Sequence, residues 1–175
     1  MYTKDQLSDM ILHDVDAFNS FRAKSDEEVD LTELDFSNAT LESVDFTNCD
    51  LSGSTFADTT LSLVNFTDAN LESVDFTRAN VVECSFSESV LNGTDFSYSK
   101  VDYCNFSDAD LAGAIFQGAD LTNSDLSMAE NLSACRFDEE TVWPDNEYLP
   151  EDFDSKYSSD LSSLQDEDDY RQSDY

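Results

Sequence analysis

Large apolar residues recur at every fifth position along most of this chain. In residues 35–56, DFSNATLESVDFTNCDLSGSTF, they are Phe36, Leu41, Phe46, Leu51 and Phe56. The register starts at Leu31, runs unbroken through Phe76, Val81, Phe96 and Val101 to Leu126, and resumes after one inserted residue at Leu132, Phe137 and Val142. A helical stripe recurs at three and four residues and a half-buried strand at two, so neither ordinary element explains a strict five. The position two before each centre is also restricted, mostly to small residues such as Ala39, Cys49, Ser54, Ala69, Ala79, Thr94, Ala114 and Ser124. Two of every five positions therefore point to a core, and the search for internal repeats precedes any assignment of secondary structure.

The unit small-[DNST]-[LF]-x-x resembles the repeat of the pentapeptide-repeat family, over residues 29–142. What the resemblance implies is an all-β solenoid: a right-handed, four-sided parallel β-helix with one pentapeptide on each side. Its inward positions are the centre and the residue two before it. Four pentapeptides make a coil, so each residue stacks on the one twenty positions later. Leu and Phe then segregate, with Phe36, Phe56, Phe76, Phe96 and Phe116 in one internal ladder and Phe46, Phe66, Phe86 and Phe106 in the opposite one. With coils about 4.8 Å apart, about six of them form a rod on the order of 27 Å long.

A solenoid needs caps over its strand edges. Leu7, Met10, Ile11, Val15 and Phe18 fall at helical spacing behind Thr3 and Asp5, which predicts one amphipathic capping helix within residues 1–28. Its tail, DAFNSFRAKS, resembles the aromatic-Asn-x-aromatic-Arg segment that precedes the first coil in the family. At the other end RFDEETVWP resembles the family's closing segment, which implies that Val142 is the last inward residue and that Trp143 covers the final coil. Residues 143–175 are then a C-terminal cap and acidic tail. Leu149, Phe153, Tyr157, Leu161 and Leu164, around and after Pro150, suggest a second capping helix, with end-to-end pairing of two molecules or disorder as the alternatives.

Charge changes the picture most. Forty Asp and Glu against eight Lys and Arg leave the 175-residue chain at −32. Such a surface repels nucleic acid and anionic membrane, so direct binding to either is not expected. The N-terminus shows no signal-peptide pattern and no segment approaches a membrane span, which leads to the expectation of a cytoplasmic protein. The acidity extends into the cap and tail, as expected for a surface adapted to high salt of the halophilic kind.

Catalytic chemistry finds little to use. His13 is the only histidine and falls on the polar side of the predicted helix, without partners for a base or triad. Cys49, Cys84, Cys104 and Cys135 all occupy the inward position two before a centre, so they read as small core thiols, neither disulfides nor metal ligands. No Gly-rich phosphate loop is present. No cofactor and no metal is expected, and an enzyme is the least favoured class.

Two functions remain. The first is a rigid scaffold for protein interaction with an unidentified partner, as a monomer or a weak end-to-end dimer. One face, centred on Leu61, Val81 and Val101, displays Leu63, Arg78, Val82, Tyr98, Lys100 and Tyr103, and such residue types are enriched at interfaces. The second is implied by the resemblance: some family members mimic DNA, bind type II topoisomerases such as DNA gyrase, and protect against quinolones. Asp35, Asp75 and Asp95, in one outward column, are the candidate DNA-mimic charges, expected to be dispensable for folding. The scaffold is ranked first and the mimic second.

Overall fold

The computed structural model describes residues 2–24 and 27–155. Its centre is a four-sided parallel β-helix. Short strands β1 (Val29–Asp30), β2 (Thr40–Glu42), β3 (Cys49–Asp50), β4 (Thr60–Ser62), β5 (Asn80–Val82) and β6 (Lys100–Asp102) all pair in parallel. On one side the register is Leu41 to Leu61 to Val81 to Val101. Single bridges continue the same twenty-residue step elsewhere, as in Asp35 to Thr55 to Asp75 to Asp95. Parallel crossovers of this kind wind right-handed.

The five-residue period follows from the corners. The carbonyl of most centres accepts a bond from the amide three residues on, Ala39 to Phe36 at 3.1 Å and Ser54 to Leu51 at 3.0 Å, which closes a β-turn at those corners; the corners after Leu41, Leu61, Val81 and Val101 are open bends. From Glu33 to Gly118 the residue two after each centre has positive φ, which at the closed corners is the signature of a type II turn. Backbone amides and carbonyls between corners bond to the next coil, for example Phe36 N to Thr55 O at 2.9 Å and Thr55 N to Leu34 O at 2.9 Å.

Both Phe ladders form. Phe76 and Phe96 stack with centroids 4.9 Å apart at 5°, and Phe66 and Phe86 at 5.0 Å and 8°. The ladders also meet edge to face across the core, as Phe76 does with Phe86 at 6.0 Å and 90°. Rings inside the ladders, Phe56 to Phe96, thus have stacked neighbours above and below and T-shaped neighbours beside them, both favourable arrangements of ring quadrupoles. Burying each such side chain contributes roughly 1.5–3 kcal/mol.

The N-terminal cap consists of two helices, where one was expected: α1 (Lys4–His13) and α2 (Val15–Arg22). Thr3 and Gln6 close a capping box on α1. Asp14 breaks the helix by taking φ −150 and offering its carboxylate to the Ala17 amide at 3.1 Å, so it starts α2. The bend lays Phe18 on Phe46, 5.8 Å away, at the foot of a ladder. Asn19 then reads the first coil's edge from both sides, donating to Ser43 O at 2.8 Å and accepting from Asp45 N at 3.0 Å. Buried Arg22 donates to the carbonyls of Glu27 and Thr47. The Phe-Asn-x-Phe-Arg segment is thus a clamp on the strand edge.

The C-terminal end corrects one expectation. Val142 is not inward; it is 48% exposed and bridges outward-facing Asp120. Ile115 pairs with Arg136 and Asp120 with Val142, so the step grows from 21 to 22 residues across this segment. A turn closed by Thr141 N to Asp138 O at 3.2 Å takes up the second extra residue. The closing slot passes to Trp143, which meets Phe116 at 5.8 Å and Phe137 at 5.3 Å edge to face. Phe153 covers Trp143 at 4.8 Å. Residues 151–155 make turns in place of the expected helical start behind Pro150. Tyr157, Leu161 and Leu164 lie outside the described residues.

Candidate functional site

The face carried by β2, β4, β5 and β6 brings the candidate residues together on its two corners and the strands between them. Asp58, Arg78, Tyr98 and Gly118 climb one corner at twenty-residue intervals, and Leu63, Glu83, Tyr103 and Asn123 climb the other. Val82 and Lys100 lie on the strands between them. Leu63, Tyr98 and Tyr103 are 51, 61 and 62% exposed, the two tyrosines flanking β6 like rails.

Their backbone makes these residues unusual. Leu63, Arg78, Tyr98 and Tyr103 sit at φ 54, 57, 58 and 54, a left-handed conformation that costs an L-residue with a bulky side chain roughly 1–2 kcal/mol. Elsewhere the same corner position holds Gly, Asn, Asp, Ser or Glu. The four large residues border a single face.

Both cations of the face are neutralised locally. Arg78 makes a two-pronged contact with Asp58, Nε to Oδ1 at 2.8 Å and Nη2 to Oδ2 at 2.7 Å. That hydrogen bond holds the Asp58 carboxyl below its ordinary range. Lys100 leans across the strand to Asp102 at 3.2 Å, and Asp102 also accepts from Asn123 at 2.8 Å. The Asn123 bond and then Lys100 lower the Asp102 carboxyl. The face therefore offers no free cation to an anionic partner.

Sequence inspection missed three residues on this face. Gly118 lies under the Tyr98 ring: a Cβ built there falls 2.6 Å from Cδ1 and 2.8 Å from Cε1, and 3.7 Å from Oε2 of Glu140. The Gly118 amide donates to Asp138 Oδ1 at 3.0 Å. Gly118 follows from adding twenty to 98. Asp138 and Glu140 do not, because the inserted residues displace the last segment from the column arithmetic.

The candidate mimic charges lie in one column, as expected, but they are not free. Oδ1 of Asp35 accepts from Ser37 N at 2.9 Å, that of Asp75 from Thr77 N at 2.8 Å, and that of Asp95 from Ser97 N at 2.8 Å. The Ser37 hydroxyl and amide lower the Asp35 carboxyl. Asp30, Asp45, Asp50, Asp110, Asp120 and Asp125 make the same bond two residues on, at 3.0 to 3.1 Å. The aspartates at these positions are thus turn-formers, so replacing them removes a hydrogen bond as well as a charge. Where Asn, Ser or Thr takes that place a neutral ladder results: Asn65 reaches Thr47 at 2.9 Å, Thr67 reaches Ser85 at 3.1 Å, and Asn105 reaches Ser87 at 3.0 Å.

The cysteines are buried and free of disulfides. Cys84 and Cys104 lie in adjacent coils and donate to the carbonyls of Val82 at 3.4 Å and Asp102 at 3.5 Å. Desolvation pushes Cys49 and Cys135 up to about 12. Contact with Cys84, then burial, pushes Cys104 up as well. His13 is exposed against Asp9 at 3.2 Å. Among the described residues no cluster of His, Cys, Asp and Glu is placed to hold a metal, and no helix is long and apolar enough to cross a membrane.

A family model described as a pentapeptide repeat region matches residues 25–96, and one for pentapeptide repeats (8 copies) matches residues 89–127 and 104–139. No curated protein matches the chain. Among solved structures, the pentapeptide repeat protein Rfr23 from the cyanobacterium Cyanothece 51142 is 19% identical, with 73% of this chain and 98% of that one covered at a TM-score of 0.62. This likeness shows the fold. QnrB1, a plasmid-mediated fluoroquinolone resistance protein, is 23% identical over 66% of this chain and 64% of its own, at a TM-score of 0.33. A pentapeptide repeat protein from Nostoc PCC 7120 is 20% identical over 73% and 82%, at 0.31. These last two scores are too low to carry an argument.

Proposed function

The chain belongs to the pentapeptide-repeat family, and on that premise we propose that it is a non-enzymatic, rigid scaffold that docks a protein partner on the face of Leu63, Val82, Tyr98 and Tyr103. The observation that carries this reading is the backbone of that face. Large side chains sit in a left-handed conformation that a solenoid tolerates at a cost and fills elsewhere with small or polar residues. The Leu63 and Tyr98 amides bond to Val82 O at 3.1 Å and Gln117 O at 2.8 Å in the next coil, so the backbone that carries this exposed area is already ordered before binding. The inward positions are filled by packed side chains, which leaves the interior no room for a substrate. We propose that the acidity serves solubility in the cytoplasm of a salt-accumulating cell.

Gyrase mimicry ranks second. The negative rod favours it, but Thr55 and Ile115 interrupt the Asp35 column and its carboxylates are engaged by their own turns.

Photo-crosslinking tests the scaffold. A benzophenone amino acid at position 103 is expected to give one discrete adduct in host extract, reproduced with the purified partner, and the same group at position 108 none. Identical labelling patterns from the two positions would refute a docking face there. Saturable inhibition of gyrase supercoiling, lost when Asp35, Asp75 and Asp95 all become Asn, would establish the mimic instead.

A further inference from the structure

Resting on that reading, we infer that the corner formed by Tyr98, Gly118 and Glu140 seats an arginine guanidinium from a basic segment of the partner protein.

Three features converge there. The Cδ1–Cε1 edge of the Tyr98 ring and the Glu140 carboxylate meet at the bare Cα of Gly118, within 2.8 Å and 3.7 Å of where a Cβ would stand. A largely exposed aromatic ring beside a carboxylate suits a guanidinium, which is planar, stacks on an open ring face and donates in a fork to the acid. An ammonium is a point charge and uses only part of such a seat.

The corner is also held in place. Asp138 ties down Gly118 through its amide at 3.0 Å and accepts from the Glu140 amide at 3.1 Å, so the backbone on both sides of the corner is fixed. Nearby Lys100 does not compete for the site. It leans away toward Asp102, on the Tyr103 side of the strand.

Charge selects the partner's sign. A chain at −32 repels an anionic segment, and the two cations of this face are already paired. A basic segment lying from Tyr98 across β6 to Tyr103 gains from both rails, while the acidic rod steers it in.

The test uses the full chain and three fluorescent octapeptides alternating serine with arginine, lysine or neutral citrulline, followed by anisotropy at about 0.15 M and about 1 M KCl. Saturable binding of the arginine probe, about fivefold tighter than lysine and still detectable at the higher salt, is expected. Tyr98→Ala and Glu140→Gln should each weaken it about fivefold, whereas Tyr98→Phe keeps the ring and the affinity. Asp68→Asn removes the same charge from a different corner and should change little. Equal losses from Asp68→Asn and Glu140→Gln, or lysine binding as well as arginine, would mean net charge alone and overturn the seat. So would a loss with Tyr98→Phe when its melting curve matches the parent's. An adduct at position 103 with peptide binding indifferent to Tyr98 would leave the scaffold standing and remove the seat; the reverse pair of results would keep the seat and remove the scaffold.

Discussion

The ring of Tyr98 rests on Gly118, the next residue up its corner column, so closely that a methyl group at 118 would fall 2.6 Å from the ring. Both residues have positive φ, 58 and 62. Gly118→Ala must therefore strain the corner and displace the ring. Because Tyr98 is 61% exposed, its ring can swing outward, and the cost should be mainly the left-handed backbone, roughly 1–2 kcal/mol. Chemical denaturation measures this. No loss of stability would mean that Gly118 does not hold its positive φ.

Phe76 and Thr77 are neighbours in sequence and differ in burial. Phe76 is wholly buried between Phe56 and Phe96, whereas Thr77 lies outside the core, half-buried. Phe76→Ala should cost about 3–5 kcal/mol and Thr77→Ala almost nothing. Equal effects in urea melts would contradict the register.

Asp75 tests whether the acidic column is structural. Asp75→Asn keeps an oxygen for the Thr77 amide at 2.8 Å and removes a charge stacked one coil from Asp95, so stability should hold or rise at low salt. Asp75→Ala removes the acceptor and should cost about 1 kcal/mol. A larger loss with Asn than with Ala would reverse the assignment.

Alkaline pH should act through the buried thiols. The Cys49 and Cys135 values are raised from 9.0 to about 12 in the folded chain. Unfolding exposes thiols that ionise near 9, so their contribution is complete below pH 9 and is lost as pH rises toward 12. Melting temperatures between pH 8 and pH 11 should therefore fall less for Cys49→Ala than for the parent, with tyrosines and lysines common to both. Identical slopes would mean Cys49 is not desolvated, as would rapid reaction of the folded protein with a thiol reagent.

Salt should stabilise the fold. A net −32 on a narrow rod repels itself over a distance that screening shortens from about 10 Å at 0.1 M to about 3 Å at 1 M. The melting temperature should climb with KCl, most steeply at the low end. A flat dependence would count against screening as the role of added salt.

The period of five was enough to determine the coil, the inward positions and the Phe ladders, because each repeat repeats the same local demand: a large residue inward, a small one at the turn, a polar acceptor before the centre. The twenty-residue step is then arithmetic, and it brought Leu63, Arg78, Tyr98 and Tyr103 to one face. The arithmetic failed where insertions altered the step. Val142 lost the closing slot to Trp143, and Glu140 came to Tyr98, because a turn at Asp138 to Thr141 absorbed a residue that no local pattern marked. Helical spacing likewise spanned residues 7 to 18 without revealing the break, which depends on the Asp14 carboxylate choosing the Ala17 amide. The purpose of the aspartates was hidden for a related reason. A column of outward carboxylates reads as surface charge until the fold shows each one bonded to its own turn, since a hydrogen bond two residues away leaves composition and period unchanged.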